Sequence, residues 1–282
     1  MDYSIPTVDL SPFFRENDED GKKKAIEVIR EACSTYGFFQ IVNHGVPPTL
    51  LCRALELSKT FFGYSDEEKL KSSPGSGAPL PAGYSRQPLH SPDKNEYLLM
   101  FPPSSTFNVY LENPPEFKEV LEEVFSHLTK TCSLIESIVN ECLDLPPNFL
   151  KEYNHDRSWD FMAALRYFPA TEAENNGITE HEDGNCVTFV FQDQVGGLEV
   201  KKNDQWIPVT PAQDTIVVNL GDVIQGEKWV EPLPQFSKDI GEPPKYRGFL
   251  YKEYQALRMR NKTHPPTKPE DVIHITHYAT TT

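Results

Sequence analysis

His181-Glu182-Asp183 places an imidazole and a carboxylate two residues apart, within the stretch Gly177 to Leu198 that reads GITEHEDGNCVTFVFQDQVGGL. Just downstream, Val187-Thr188-Phe189-Val190-Phe191 has the β-branched and aromatic composition of a strand, so the triplet is expected to open that strand. Residues i and i+2 of a strand point to the same face, so His181 and Asp183 can reach one metal ion together while Glu182 points away. One His and one carboxylate are two thirds of the 2-His-1-carboxylate set, which leaves positions open on a non-haem Fe(II) for oxygen and a co-substrate. The pattern is short enough to arise by chance, and the same residues also read as a surface turn with two polar side chains.

The chain that must position this pair has 282 residues, enough for one large or two ordinary domains with a real core. Its 38% hydrophobic and 24% charged content is that of a globular protein. A net charge of −15 with no basic stripe argues against a nucleic-acid partner, and Lys22-Lys23-Lys24 and Lys201-Lys202 read as solvated faces. Cys33, Cys52, Cys132, Cys142 and Cys186 are odd in number and lack C-x-x-C spacing, so they read as small buried hydrophobes in a reducing compartment. With no signal-peptide pattern and no apolar run of about 18 residues, a cytoplasmic location and no membrane association are expected.

Ile5 to Leu10 reads as a short strand. From Lys22 to Tyr36 the apolar residues Ile26, Ile29, Ala32, Cys33 and Tyr36 recur at helical steps, and Gly37 ends that helix. Phe38 to Asn43 is a strand closed by the turn His44-Gly45-Val46-Pro47-Pro48, followed by a helix from about Thr49 to Phe62. His44 has the chemistry of a ligand, but beside Gly and Pro in a turn it is expected to bond backbone. Ser72 to Gly83 is a Pro/Gly/Ser-rich loop, after which Gly83-Tyr84-Ser85 returns to ordered structure. Pro115 to Leu143 carries one apolar stripe through Phe117, Leu121, Val124, Leu128, Ile135 and Val139, and Pro146-Pro147 stops it.

From Phe161 the pattern changes to short strands, as in a β-sandwich or jelly roll. Leu165 to Pro169, the strand after His181, Gly197 to Lys201, Trp206 to Val209 and Thr215 to Asn219 are the candidates. The last continues through a bend into Leu220 to Gln225. Further on, Lys252 to Met259 is a helix candidate.

Five motifs in order carry a resemblance: IPTVDLS, YGFFQIVNHGVP, the GITEHEDGNCVTFVFQDQVGGLEV block, QWIPVTP and VVNLGDVIQ. Together they resemble the plant-type Fe(II)/2-oxoglutarate-dependent dioxygenases, from about Ile5 to Gln225. The resemblance implies an α+β fold, a double-stranded β-helix (jelly-roll) core with a helical N-terminal region. It implies Fe(II) as the metal and 2-oxoglutarate as co-substrate, with hydroxylation, demethylation or desaturation of a small molecule as the reaction. His181 and Asp183 match the first two iron ligands. Tyr167 and Phe168 occupy the family's Asn-Tyr-Tyr-Pro segment, whose side chains help hold 2-oxoglutarate; Arg166 stands for the Asn and Phe168 for the second Tyr.

After Val223-Ile224-Gln225 the family continues with a strand carrying the second iron His and another carrying Arg-x-Ser, which grips the 2-oxoglutarate carboxylate. This chain goes directly to Gly226-Glu227-Lys228-Trp229. It has no histidine between His181 and His264 and no Arg-x-Ser anywhere, as an internal deletion would leave, so the core is expected to be incomplete. Substitutes would have to come from His264, His274 or His277 for the iron and from Arg247 for the carboxylate. The expected organisation is an N-terminal dioxygenase region over 1–110 and a supporting helix and connection over 111–160. Residues 161–225 would form the jelly-roll core with a partial iron site, and 226–282 a tail and helix.

Two function classes follow. One is a dioxygenase-type oxidoreductase acting on a small plant metabolite or hormone-like molecule; the other is a catalytically silent homologue that at most binds a small molecule or partner. Substrate identity and oligomeric state leave no mark on the sequence.

Overall fold

A computed structural model of the chain describes residues 4–75, 78, 80–110, 112–169 and 177–221, with 229–230, 249–250, 257 and 268. These fall into two compact units, one from residues 1–60, 113–155 and 187–220, the other from 61–112, 156–186 and 221–282.

The first unit is built on a sheet in the order β1 (Thr7–Asp9), β2 (Phe38–Val42), β9 (Ile216–Leu220), β6 (Val187–Val190). β1 runs parallel to β2, and the other pairings are antiparallel, with Phe39 opposite Val218 and Phe189 opposite Val218. A separate hairpin joins β7 (Glu199–Lys202) to β8 (Gln205–Pro208). Asn203 and Asp204, which connect them, both have positive φ, as the two-residue turn that matches strand twist requires. Ile5, Val200, Val209 and Val217 form one buried cluster of this unit.

Its helices are those with the strongest periodicity. α1 (Glu19–Thr35) starts at Asp18, whose side chain accepts from the Gly21 N–H at 3.1 Å. It ends where Gly37, at φ +71, takes a left-handed conformation that a side chain would strain. α2 (Pro48–Phe62) buries Leu51, Ala54, Leu57 and Phe61. α4 (Phe117–Cys142) buries Phe117, Leu121, Val124, Thr131, Ile135, Ile138 and Cys142, a stripe spaced by three, four or seven residues. Arg30 of α1 donates to the Glu141 carbonyl at 3.1 Å and also to that of Cys142. α5 (Phe149–Tyr153) follows, and Asn154 beyond it donates to the buried Glu136 of α4 at 3.0 Å.

The second unit holds α3 (Asp66–Leu70) and an antiparallel sheet of β3 (Gly83–Arg86), β4 (Asn95–Met100) and β5 (Met162–Tyr167). Arg86, Glu96 and Arg166 lie opposite one another across the three strands and therefore share a face. Glu96 has no solvent exposure and accepts from Lys69 of α3, Tyr84, Arg86 and Arg166 at 2.9, 2.7, 3.2 and 3.0 Å. A carboxylate can be buried only with such partners. Alternate residues Tyr97 and Leu99 point the other way, into a cluster with Ala82 and Phe101 against which Trp159 and Phe161 pack.

No helix among the described residues is long and apolar enough to cross a membrane. Two further strands, β10 (Trp229–Val230) and β11 (Phe249–Leu250), pair antiparallel. The expected continuation over Asp222 to Gln225 lies outside the described residues, as does the helix candidate Lys252 to Met259 apart from Leu257.

Candidate metal site

His181 and Asp183 do not open a strand. Residues 181–183 are irregular, and β6 starts only at Val187. The expectation of a shared strand face is therefore corrected: a loop, closed by Gly184-Asn185, brings the pair together.

That loop belongs to the second unit and is tied to the sheet there. The Gly177 carbonyl accepts from the Lys94 N–H at 3.1 Å and from the Asn95 side chain at 2.8 Å. Two residues on, the Thr179 N–H donates to the Asp93 carboxylate at 2.7 Å. The Thr179 carbonyl then meets Nδ1 of His181 at 2.9 Å. A carbonyl oxygen can only accept, so Nδ1 carries a hydrogen, and whenever the ring is neutral the lone pair is on Nε2. Nε2 stands 3.6 Å from Asp183 Oδ1.

The two donors suit one ion. At bond lengths of about 2.1 Å, donors at right angles on one metal are roughly 3.0 Å apart, so a shift of a few tenths of an ångström brings them to bonding distance. An Nδ1–H bonded to a backbone carbonyl is the usual second partner of a metal-binding histidine. Asp93 and Asp183 add negative charge that favours a cation.

Tyr167 adjoins this loop. Its ring packs on Gly177 so closely that a Cβ there would lie 2.6 Å from Tyr167 Cδ1. Partial desolvation pushes its phenol above the ordinary value although the residue keeps 47% exposure, and the charges of Asp93 and Asp183 push the same way. The neighbouring residues point elsewhere. Arg166, expected at the Asn position of the 2-oxoglutarate segment, donates instead to Glu96 and, at 2.7 Å, to the Phe62 carbonyl. Phe168 lies beneath the Arg86 and Arg166 guanidinium groups, 5.3 and 5.7 Å from its ring centre. The strand pleat thus separates Tyr167 from its neighbours on either side.

Among the described residues this group has no third donor. Among the described residues no set of three His, Cys, Asp or Glu side chains is placed to hold a metal. Arg247, His264, His274 and His277 lie outside the described residues. The residues present fit an ion on two sides, and they lack the family's Arg-x-Ser clamp for 2-oxoglutarate. His44, in the first unit, behaves as the turn chemistry suggests: it is buried, with Nδ1 accepting from the Val46 N–H at 3.2 Å. Burial lowers its pKa, partly opposed by the Asp214 main chain. Asp93 carried no signal in the sequence, because its partner Thr179 is 86 residues away.

Comparison with known proteins agrees with this architecture. A family model described as the non-haem dioxygenase in morphine synthesis N-terminal region matches residues 5–127. The 2OG-Fe(II) oxygenase superfamily model matches residues 159–226. The chain is 27% identical to flavonol synthase/flavanone 3-hydroxylase of Arabidopsis thaliana, over 92% of this chain and 87% of the relative. It is 30% identical to Protein DOWNY MILDEW RESISTANCE 6 of the same plant over 78% of this chain, and spans 64% of that relative, under two thirds of its length. Among solved structures, JOX2 in complex with 2OG, Fe and JA superposes with a TM-score of 0.77 at 24% identity, covering 98% of this chain and 89% of JOX2. Neurospora crassa T7H in complex with alpha-KG gives 0.77 at 22% identity over 90% and 95% of the two chains. At 24% and 22% identity these neighbours show the fold alone, a jelly roll. It is the matches of the two family models, over residues 5–127 and 159–226, that identify the chain as a member of the plant-type 2-oxoglutarate/Fe(II)-dependent oxygenase family.

Proposed function

We propose that this chain is a 2-oxoglutarate/Fe(II)-dependent dioxygenase-type oxidoreductase whose substrate is a small plant metabolite or hormone-like molecule. The observation that carries the reading is the His181 and Asp183 pair, with Nε2 and Oδ1 3.6 Å apart and the far ring nitrogen held by a carbonyl. Fe(II) with 2-oxoglutarate and oxygen supplies, when bound, the oxidising power for hydroxylation, demethylation or desaturation. His181 and Asp183 would hold the ion, and Tyr167 would wall the site beside them. The flavonol synthase name of one relative supports a small plant metabolite as substrate class.

One observation favours a second reading. The chain has no histidine from 182 to 263 and no Arg-x-Ser, so among the described residues the ion has two protein donors and 2-oxoglutarate lacks the family's usual grip. Each charge-assisted hydrogen bond lost there is worth about 1.5–3 kcal/mol. On this reading the chain is a catalytically silent homologue that at most binds a small molecule or partner.

Anaerobic titration of the purified chain with Fe(II) and 2-oxoglutarate separates the two. A saturable visible charge-transfer band, followed by succinate once oxygen is admitted, is the outcome for the dioxygenase. A folded chain with neither band nor succinate is the outcome for the silent homologue.

A further inference from the structure

Asp93 sits in the connection between β3 and β4, and that connection is stiffened from within. The buried Ser91 accepts the Asp93 N–H at 3.2 Å, and Lys94 Nζ donates to the Leu89 and Ser91 carbonyls at 3.0 and 2.8 Å. The Asp93 carboxylate therefore stands at a fixed point, and it receives the Thr179 N–H at 2.7 Å. That bond anchors Thr179 on its N–H side, and the Thr179 carbonyl, in the next peptide plane, meets His181 Nδ1 at 2.9 Å. On the other side of the same segment, Gly177 is pinned by the Lys94 main chain and the Asn95 side chain. The loop is thus held at both ends of three residues, and the last link of the chain is the imidazole ring.

We propose that Asp93 is a positioning residue of the metal site, which sets the imidazole nitrogen that His181 turns toward Asp183. The proposal rests on reading His181 and Asp183 as metal ligands. A neutral imidazole has two tautomers, and the hydrogen bond at one nitrogen decides which nitrogen is left to bind. With the Thr179 carbonyl at Nδ1, the free lone pair is on Nε2, beside Asp183 Oδ1. Without Asp93 the segment at Thr179 loses its anchor on the sheet side, the Nδ1–H loses its fixed acceptor, and both tautomers are populated. A direct partner of a ligating ring, here the Thr179 carbonyl, is worth about 10–100-fold in metal affinity, and Asp93 acts through it. Asp93 touches neither the ion nor a reacting atom.

The test uses the full chain, with Mn(II) as the metal probe, and Asp93→Ala, Asp93→Asn and His181→Ala variants, each shown to be folded by its thermal melt. Nitrogen-15 NMR of the metal-free chain at a pH where the ring is neutral reads the His181 tautomer. Wild type is expected to hold the Nδ1–H form and Asp93→Ala a mixture, with Mn(II) bound about 10–100-fold more weakly. Asp93→Asn keeps an acceptor oxygen and is expected to restore the tautomer and most of the affinity. The proposal is overturned if Asp93→Ala keeps the wild-type tautomer, or if a folded Asp93→Asn loses it. His181→Ala separates this from the metal reading: if it binds Mn(II) as wild type does, His181 is not a ligand, and the tautomer result still decides the role of Asp93.

Discussion

Arg166 lies directly across from Glu96 on the neighbouring strand and donates to its Oε1 at 3.0 Å. The side chain that sequence comparison puts at a co-substrate position is therefore part of a buried ionic cluster. Substituting Glu96→Ala leaves Lys69, Arg86 and Arg166 without their common acceptor. Lys69 is 2% exposed, whereas Arg86 and Arg166 keep 40% and 44% exposure and can turn to water. The expected loss is about 3 kcal/mol, the low end for breaking a buried pair, read as a lower urea midpoint at unchanged slope.

The same cluster sets an acid limit. Burial alone would raise the Glu96 pKa, but the hydrogen bonds from Lys69 and Tyr84 and the charge of Lys69 outweigh it, and the carboxyl titrates below its ordinary 4.5. A depressed folded-state value means the contribution is complete above the unfolded value and disappears as pH falls through the folded one. Urea midpoints of the wild-type chain should therefore hold as pH falls toward 4.5 and drop below it. Glu96→Gln should be less stable at neutral pH and show a shallower acid decline.

At Gly177 the predicted effect is steric. A methyl group there would lie 2.6 and 3.0 Å from Tyr167 Cδ1 and Cγ, atoms near the root of a ring that cannot simply swing aside. Gly177→Ala should cost about 1–3 kcal/mol and weaken Mn(II) binding, because the displaced segment carries Thr179 and His181. Gly75 has nothing within 4 Å of a built Cβ, so Gly75→Ala is the control, neutral or stabilising by about 0.4–1 kcal/mol. Equal effects of the two substitutions on Mn(II) affinity would remove the steric argument.

What the sequence reveals follows how local each interaction is. The stripe of α4 was legible because its apolar residues recur within one element, and Pro115 to Leu143 came within two residues of the observed Phe117–Cys142. β4 escaped because all six of its residues are buried, so no alternation marks it, and it opens on the polar Asn95 and Glu96. Glu96 makes sense inside the protein only through Lys69, Arg86 and Arg166, which lie 27, 10 and 70 positions away. The His181 and Asp183 pair was legible because two residues suffice to state it. Its supporting bond from Asp93 was not, since nothing local links a loop acid to a peptide 86 residues on.

The cysteines give a prediction in which burial decides reactivity. Cys33 on α1 is pushed up to about 12, first by burial and then by the neighbouring Cys142, whose own thiol is also raised by burial. The thiolate is the reacting species, so at pH 8 almost none of the Cys33 population is competent in the folded chain. Cys52 is exposed. Under native conditions an alkylating reagent should therefore label Cys52 rapidly and leave Cys33 and Cys142 unlabelled, and all should react once the chain is unfolded in urea. Peptide mass spectrometry after timed quenching reads the order directly. Fast native labelling of Cys33 would mean that the α1 and α4 packing around it opens on the timescale of the reaction, and the inert-thiol argument would fail at that seam.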